Sequence, residues 1–127
     1  MKDGAIGNPP SDLRERTTQF ALRVIRMFAG LPKTEAARVL GKQTLRSGTS
    51  VGANYREAQR ARSKAEFIAK IGDCLKELDE TAYWLDLLVQ SGIVHATKLS
   101  ALQDETHQLL AIFTTISKNS KASLPPE

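Results

Sequence analysis

The sequence predicts an all-α protein, an up-down antiparallel four-helix bundle. Apolar residues recur at alternating spacings of three and four in four stretches, and no stretch shows the two-residue alternation of a strand. Glycine and proline residues interrupt the periodicity between these stretches. Because the connections are short, consecutive helices should run antiparallel and pack at shallow angles. A less regular helical array is the alternative.

Local signals place the first two helices. Ser11 should cap the first helix, and Gly30 followed by Pro32 should end it. The second helix should begin near Thr34. Its inner stripe is unusually small and polar, and Gly48 with the glycine four residues later should let another backbone approach closely.

Asn54 lies on that same stripe of the second helix. A buried side-chain amide without partners costs about 1–3 kcal/mol. We therefore expect Asn54 to bond a neighbouring helix and to fix the helix register, as buried Asn does in coiled coils.

The third and fourth helices have clearer boundaries. Ser63 and Glu66 stand in the Ser-x-x-Glu spacing of a capping box, and Gly92 is the expected C-terminal stop of the third helix. The fourth helix has a regular apolar repeat, formed by Leu99, Leu102, Thr106, Leu109, Phe113 and Ile116. We expect a bundle over residues 11–119, a flexible N-terminal arm over residues 1–10 and a flexible C-terminal tail over residues 120–127.

Length and composition exclude several classes of protein. A chain of 127 residues fits one domain, and 41% hydrophobic residues argue against disorder. The single cysteine excludes an internal disulfide framework, and no stretch has the length of a membrane span. We expect a cytoplasmic protein that does not contact a membrane.

Basic residues are concentrated in the second helix and the turn after it. Residues 36–76 carry nine Lys or Arg and three Asp or Glu, a local charge of +6, against +4 for the whole chain. On a helical wheel the basic residues of the second helix lie opposite the apolar stripe. Such a face binds the phosphates of RNA or DNA through charge and counterion release. A solvated face that pairs with acids of a neighbouring helix or chain is the alternative. The candidate contact residues are Arg38, Lys42, Arg46, Arg56, Arg60, Arg62 and Lys64.

The third helix is apolar almost all round near its C-terminal end. A monomeric bundle would leave some of these residues in water, and an exposed patch that holds Trp usually marks an interface. We therefore expect the chain to associate with itself there. A simple surface patch and a groove for a small ligand are the alternatives. The residues are Tyr83, Trp84, Leu87 and Leu88.

No combination of residues indicates catalysis, a cofactor or a metal. The chain has two His and one Cys, and neither His has a recognised ligand spacing to Cys74, so we predict no metal site. We also predict no cofactor and no enzymatic activity. The acidic row of Asp73, Glu77 and Glu80 is compatible with Mg²⁺ or with an acid–base pair, but salt bridges to the arginines of the second helix are the favoured interpretation. Cys74 lies in the apolar stripe and is expected in the core.

Five segments carry a family resemblance. They are LRSGTSVGANYREA from residue 45, RARSKAEF from residue 60, KELDET from residue 76, YWLDLL from residue 83 and LPKTE from residue 31. Over about residues 12–117 the chain resembles the four-helix bundle proteins, also called 23S rRNA intervening-sequence proteins.

The resemblance implies an up-down helical bundle that assembles into a ring, commonly a pentamer, and that has no established enzymatic activity. Relatives serve as accessory proteins of diversity-generating retroelements, where a basic barrel engages nucleic acid and a reverse transcriptase. The motif positions of the family fall on Asn54 and Glu57, on Arg56, Arg60 and Arg62, and on Glu77 and Glu80.

These observations together predict a non-enzymatic homo-oligomer whose basic second helix binds the backbone of RNA or DNA. The alternative is a protein–protein interaction scaffold with an unknown protein partner and no nucleic-acid binding.

Overall fold

The computed structural model describes residues 9–123, and this part of the chain forms four α-helices and no strand. The predicted all-α class is confirmed. The helices are α1 (Pro9–Ala29), α2 (Glu35–Gln59), α3 (Lys64–Gln90) and α4 (Ala96–Ala122).

The helices pack in chain order. Helix α2 lies against α1 and α3, and α3 lies against α2 and α4, whereas α1 and α4 pack only sparsely against each other. With connections of five, four and five residues, this is the arrangement of an antiparallel up-down bundle. None of the helices in residues 9–123 is long and apolar enough to cross a membrane.

The outer helix ends differ from the predicted boundaries. Helix α1 begins at Pro9 and not at Ser11, because proline has the backbone angle of a first helical turn and needs no amide partner there. Helix α4 continues to Ala122, beyond the predicted end of the bundle at residue 119. The rest of the predicted arm, residues 1–8, and the end of the predicted tail, residues 124–127, lie outside the described residues.

The predicted inner helix starts are confirmed. The Thr34 hydroxyl accepts a hydrogen bond from the amide of Ala37 at 3.3 Å, and the Ser63 hydroxyl accepts one from the amide of Glu66 at 3.0 Å. The carboxylate of Glu66 accepts from the Arg62 amide at 3.4 Å, one residue earlier than a standard capping box would place it.

Helix α3 ends close to the predicted stop. Gly92 has φ of 81°, a left-handed conformation that glycine adopts without steric cost. The amide of Val94 then donates to the carbonyl of Leu88 at 3.1 Å, which ties the turn back onto the helix.

The core runs the length of the bundle. Tyr55 of α2 is 3% exposed and meets Phe113 of α4 edge to face, with ring centroids 5.6 Å apart. Cys74 is buried as predicted, with its Sγ 3.6 Å from the carbonyl oxygen of Val51. The largest fully buried apolar side chains are Phe20, Val24, Val51, Ile71, Leu78, Leu85, Leu88, Leu109 and Phe113.

Glycines set the close approach of α1 and α2, as the sequence predicts. A Cβ at Gly48 would lie 2.9 Å from Cγ2 of Val24, and one at Gly52 would lie 3.2 Å from Oγ1 of Thr17. A larger residue at Gly48 would therefore require Val24 or its helix to move, and one at Gly52 would require a shift of a few tenths of an ångström at Thr17.

Candidate nucleic-acid interface

The predicted basic face of α2 is interrupted at its centre. Nη1 of Arg46 lies 3.2 Å from Oε1 of Glu77, and Nη2 of Arg46 bonds Oε1 of Glu80. The hydrogen bond to Glu80, helped by the charge of Glu77, raises the pKa of the Arg46 guanidinium. Arg46 is thus compensated by two carboxylates of α3, which corrects its assignment as a free phosphate contact.

Two other predicted contact residues also have partners. Arg56 is half-buried, and its Nη2 donates to the Thr18 hydroxyl of α1 at 3.3 Å. The side chain of Arg62 is 91% exposed, and its Nε lies 3.9 Å from Oε1 of Glu66, at the limit of an ion pair. Arg56 therefore helps to join α1 to α2, whereas the charge of Arg62 faces water.

The remaining predicted cations form two groups at opposite ends of α2. Within residues 9–123, no carboxylate lies at ion-pair distance from Arg38, Lys42, Arg60 or Lys64, and all four are exposed. We call Lys33, Arg38 and Lys42 the α2-start cluster. We call Arg60, Arg62 and Lys64 the α2-end cluster.

The geometry of α2 aligns the two clusters. At 1.5 Å per residue, Arg38 and Arg60 lie about 33 Å apart along the helix axis. Twenty-two residues are close to six full turns, so both residues project from the same side of α2. The α2-start cluster lines a shallow depression of about 370 Å³ together with Glu35 and Val39.

The acidic residues of α3 serve as ion-pair partners. The pairing of Glu77 and Glu80 with α2 confirms the salt-bridge interpretation. Asp73 instead lies 4.0 Å from Nζ of Lys70 on its own helix. Lys70 also contacts Glu57 of α2 at 2.6 Å, and this hydrogen bond lowers the pKa of Glu57 and raises the pKa of Lys70.

Metal-ligating residues are not gathered in this part of the chain. Among the residues that the structure describes, no group of three or more His, Cys, Asp and Glu side chains is arranged to hold a metal ion.

The polar contact that fixes α2 against α3 is not the predicted one. Asn54 is only half-buried, and its side chain forms no hydrogen bond with the described residues, so its predicted role in register was wrong. Ser47 and Thr81 make this contact instead, with hydroxyl oxygens 2.7 Å apart and both residues fully buried. Asn54 misses the core because its neighbour Tyr55 takes the inward position.

The predicted interface patch on α3 is partly inside the bundle. Leu88 is 0% exposed, which corrects its assignment to an interface, because α3 packs on both α2 and α4 and its apolar surface is correspondingly wide. Tyr83 is 56% exposed, with its ring 5.0 Å from that of Trp84, and Trp84 and Leu87 are half-buried. The indole Nε1 of Trp84 is buried without a hydrogen-bond partner.

Sequence patterns gave no signal for the contact that closes the bundle. Arg16 of α1 donates to both carboxylate oxygens of Glu105 of α4, at 2.7 and 2.9 Å, and to Oε1 of Gln108 at 2.9 Å. This fork-like pairing bridges the two neighbouring helices that pack least against each other. The partners lie 89 residues apart, beyond the reach of any local periodicity.

Most of the chain matches a known family. The family model described as 23S rRNA-intervening sequence protein matches residues 11–115. The chain belongs to the 23S rRNA-intervening sequence protein family. A solved structure of the same kind comes from Bacteroides thetaiotaomicron and is described as a protein of unknown function from the S23 ribosomal protein family.

The similarity to that structure extends over most of both chains. It has a TM-score of 0.78 and 35% sequence identity, and it covers 83% of this chain and 97% of the other. No protein with a curated description matches this chain. The comparisons thus establish the family and the helical fold, and they assign no activity.

Proposed function

We propose that this member of the 23S rRNA-intervening sequence protein family is a non-enzymatic protein that binds the phosphate backbone of a nucleic-acid duplex. The observation that carries the proposal is the pair of exposed basic clusters at the two ends of α2, in which Arg62 alone lies at ion-pair distance from a carboxylate of the described residues. The resemblance to accessory proteins whose basic barrel engages nucleic acid points in the same direction.

The spacing of the clusters favours a duplex that lies along α2. Arg38 and Arg60, one from each cluster, are separated by about 33 Å on one side of the helix. Phosphates of one strand return to the same side of B-form DNA after one turn, about 34 Å. Each cluster would then contact the backbone at successive turns, while Arg46 between them stays paired with α3.

The recognition is electrostatic and independent of sequence. Lysine and arginine side chains bind phosphates by charge, and release of counterions supplies the free energy. The described part of α2 presents no exposed aromatic side chain on which an unpaired base could stack. Duplex RNA and duplex DNA are therefore both expected to bind, with little preference for base sequence.

Fluorescence anisotropy with labelled 20-base-pair RNA and DNA duplexes tests the proposal. One variant, Arg38→Glu with Lys42→Glu, reverses the α2-start cluster, and a second, Arg60→Glu with Lys64→Glu, reverses the α2-end cluster. Each should weaken binding by about tenfold or more, because two phosphate contacts become repulsive. Arg56 is left unchanged because it contacts Thr18.

The matched control makes the same change of net charge on a different helix. Lys118→Glu with Lys121→Glu alters two exposed lysines of α4, which lies diagonally across the bundle from α2 and meets it through core side chains such as Tyr55 and Phe113. An equal loss of affinity in this control would mean that only net charge matters and would contradict the proposed interface. Absence of binding by the unaltered protein at low salt would also contradict it and would favour a protein–protein scaffold.

We also propose that the protein forms a homo-oligomer through the exposed part of α3. By resemblance to the family, this oligomer is a ring, and such rings are commonly pentamers. The supporting observation is the exposed ring of Tyr83, which is 56% exposed and lies against Trp84. Exposed aromatic side chains of this kind are enriched at protein interfaces.

Sedimentation velocity tests this assembly. The unaltered protein should sediment as a multiple of the 13.9 kDa chain. Tyr83→Glu with Leu87→Glu should dissociate it, because charges do not tolerate burial in an apolar interface. Leu22→Glu, at a 39% exposed position of α1, is the control and should leave the mass unchanged. A monomeric unaltered protein at micromolar concentration would contradict the assembly.

A further inference from the structure

A cleft opens between the C-terminal end of α1 and the N-terminal end of α4. It has a volume of about 530 Å³, within the range of small-molecule sites. Its position follows from the fold, because α1 and α4 are the neighbouring helices that pack least and the Arg16–Glu105 pair closes them only nearer the other end. Gly30 and Ala101 line it and leave space that larger side chains would fill.

The floor of the cleft is apolar. Leu31, Leu99 and Leu102 are buried, and Met27 and Val94 are half-buried at its edge. These side chains offer an apolar molecule a surface whose burial on binding would be favourable.

The rim of the cleft is exclusively cationic. Arg23 and Arg26 of α1 and Lys98 of α4 line it, and no Asp or Glu does. Within residues 9–123 none of the three cations has an ion-pair or side-chain hydrogen-bond partner. Arg23, Arg26, Met27 and Gly30 follow the spacing of one face of α1, so the cations and the apolar floor share one side of the helix.

A second cleft of similar size has no charged residues at its rim, so a cationic rim is not a general property of clefts in this bundle. It has about 490 Å³ at the opposite end and is lined by apolar and uncharged polar residues alone. Its lining residues are Leu13, Tyr55, Ala58, Gln59, Ala61, Ser63, Phe67 and Ile116.

We propose that the α1–α4 cleft binds a small amphipathic anion, an apolar chain or ring that carries one carboxylate. The apolar body lies on Leu31, Leu99 and Leu102, and the carboxylate is held by Arg23 and Lys98 from the two helices. The guanidinium of Arg23 suits a carboxylate because its paired N–H groups match the two oxygens. This site is separate from the α2 clusters and does not rest on nucleic-acid binding.

Decanoate, below the concentration at which it forms micelles, is the probe, and decanol is its uncharged counterpart. The protein contains two methionines, and ¹³C labelling of the methionine methyl groups provides a reporter at Met27, which lines the cleft. Decanoate should shift the Met27 signal with saturation, and decanol should bind about tenfold more weakly or worse, since it offers the cations no charge.

Two variants locate the site. Arg23→Gln with Lys98→Gln should weaken decanoate binding by about tenfold and leave decanol binding unchanged. Arg14→Gln with Lys118→Gln removes one cation from each of the same two helices at the opposite end and should change neither. Ala101 is exposed, so Ala101→Trp fills the cleft without disturbing core packing. It should abolish the shift of the Met27 signal.

The opposite results would overturn the proposal. Equal affinities for decanoate and decanol would show that the cations play no part. A saturating shift that survives in Ala101→Trp would place the molecule elsewhere, with the uncharged cleft at the opposite end as the alternative location.

Discussion

Arg46 and Glu77 form an ion pair between α2 and α3, with Nη1 of the arginine 3.2 Å from Oε1 of the glutamate. The Glu77 side chain is 11% exposed, whereas that of Arg46 is 50% exposed. The arginine therefore covers a carboxylate that is otherwise almost removed from water. In this position Arg46 belongs to the packing of the bundle and is not part of its free basic surface.

The first prediction separates these two roles of a basic residue. Arg46→Gln should lower the free energy of unfolding by about 1 kcal/mol, because Glu77 loses its charged partner in a largely buried place. Duplex affinity should stay unchanged in that variant. Arg38→Gln should have the opposite effects: it should lower the affinity for the duplex and leave the free energy of unfolding unchanged. Urea denaturation and anisotropy on the same samples measure both quantities.

The same pair permits a charge-swap control. Arg46→Glu alone places three carboxylates together, and adding Glu77→Arg should recover part of the lost stability. If the double variant is no more stable than the single one, the pairing does not stabilise the bundle.

The second prediction concerns the close approach of α1 and α2. Gly48→Ala should lower the free energy of unfolding, because its Cβ would meet Val24 at 2.9 Å and a β-branched side chain in a helix cannot rotate aside. Overpacking of this kind costs about 1–3 kcal/mol, more than the roughly 1 kcal/mol that alanine adds in helix propensity. Thermal or urea denaturation measures the change.

Gly72 offers a matched control for that substitution. A Cβ there would meet nothing within 4 Å, so Gly72→Ala should raise stability by about 1 kcal/mol through helix propensity alone. Stabilisation by both substitutions would show that α1 and α2 are not in tight contact at Gly48.

The third prediction concerns the buried hydroxyl pair. The hydroxyls of Ser47 and Thr81 share a hydrogen bond of 2.7 Å, and each also reaches a backbone carbonyl of its own helix, that of Thr44 at 3.4 Å and that of Glu77 at 2.8 Å. Thr81→Val should destabilise by about 1 kcal/mol, because the core loses the hydrogen bond between the two side chains. Ser47→Ala in the Thr81→Val background should then cost much less than Ser47→Ala alone. Strictly additive effects in a double-mutant cycle would contradict the contact.

The fourth prediction concerns the single cysteine. Burial raises the pKa of the Cys74 thiol from 9.0 to about 12. In the unfolded chain the thiol ionises near 9.0, whereas in the folded chain it stays protonated, so the folded state binds more protons between these values. Ionisation of the unfolded state therefore makes the free energy of unfolding fall as the pH rises from about 9 to about 12.

Two measurements check the cysteine prediction. A disulfide reagent at pH 8 should label the native protein far more slowly than the protein in denaturant, because the thiolate is the reactive form. Cys74→Ala should reduce the alkaline loss of stability. Fast labelling of the native protein would place Cys74 at the surface.

The sequence predicts the features of this fold that depend on neighbouring residues in the chain. Helical periodicity and the caps at Thr34 and Ser63 involve residues three or four apart, so they are visible without the structure. The close approach at Gly48 is also visible in the sequence, because two glycines four residues apart lie on the same face of a helix and indicate close packing there.

Features that depend on the choice of neighbouring helix were not predictable in this way. A helical wheel shows that α3 is apolar almost all round near its C-terminal end. It does not show that α2 and α4 both cover this surface, which is why Leu88 was assigned to an interface. The α1–α4 cleft was missed because Arg23 and Lys98 come together only when the bundle closes. The basic face of α2 is partly neutralised at Arg46, and this too depends on which acidic residues of α3 face that arginine.

Binding of duplex phosphates by the two clusters of α2 should make the affinity depend steeply on salt concentration, and a salt titration measures this dependence. The logarithm of the association constant should fall with the logarithm of salt concentration by about 0.9 for each neutralised phosphate. We expect a slope steeper than about −3 for the unaltered protein, flattened by about 2 in each of the variants Arg38→Glu with Lys42→Glu and Arg60→Glu with Lys64→Glu. The Lys118→Glu with Lys121→Glu control should keep the original slope. A slope near zero, or the same slope in all four proteins, would contradict phosphate binding by the two clusters of α2.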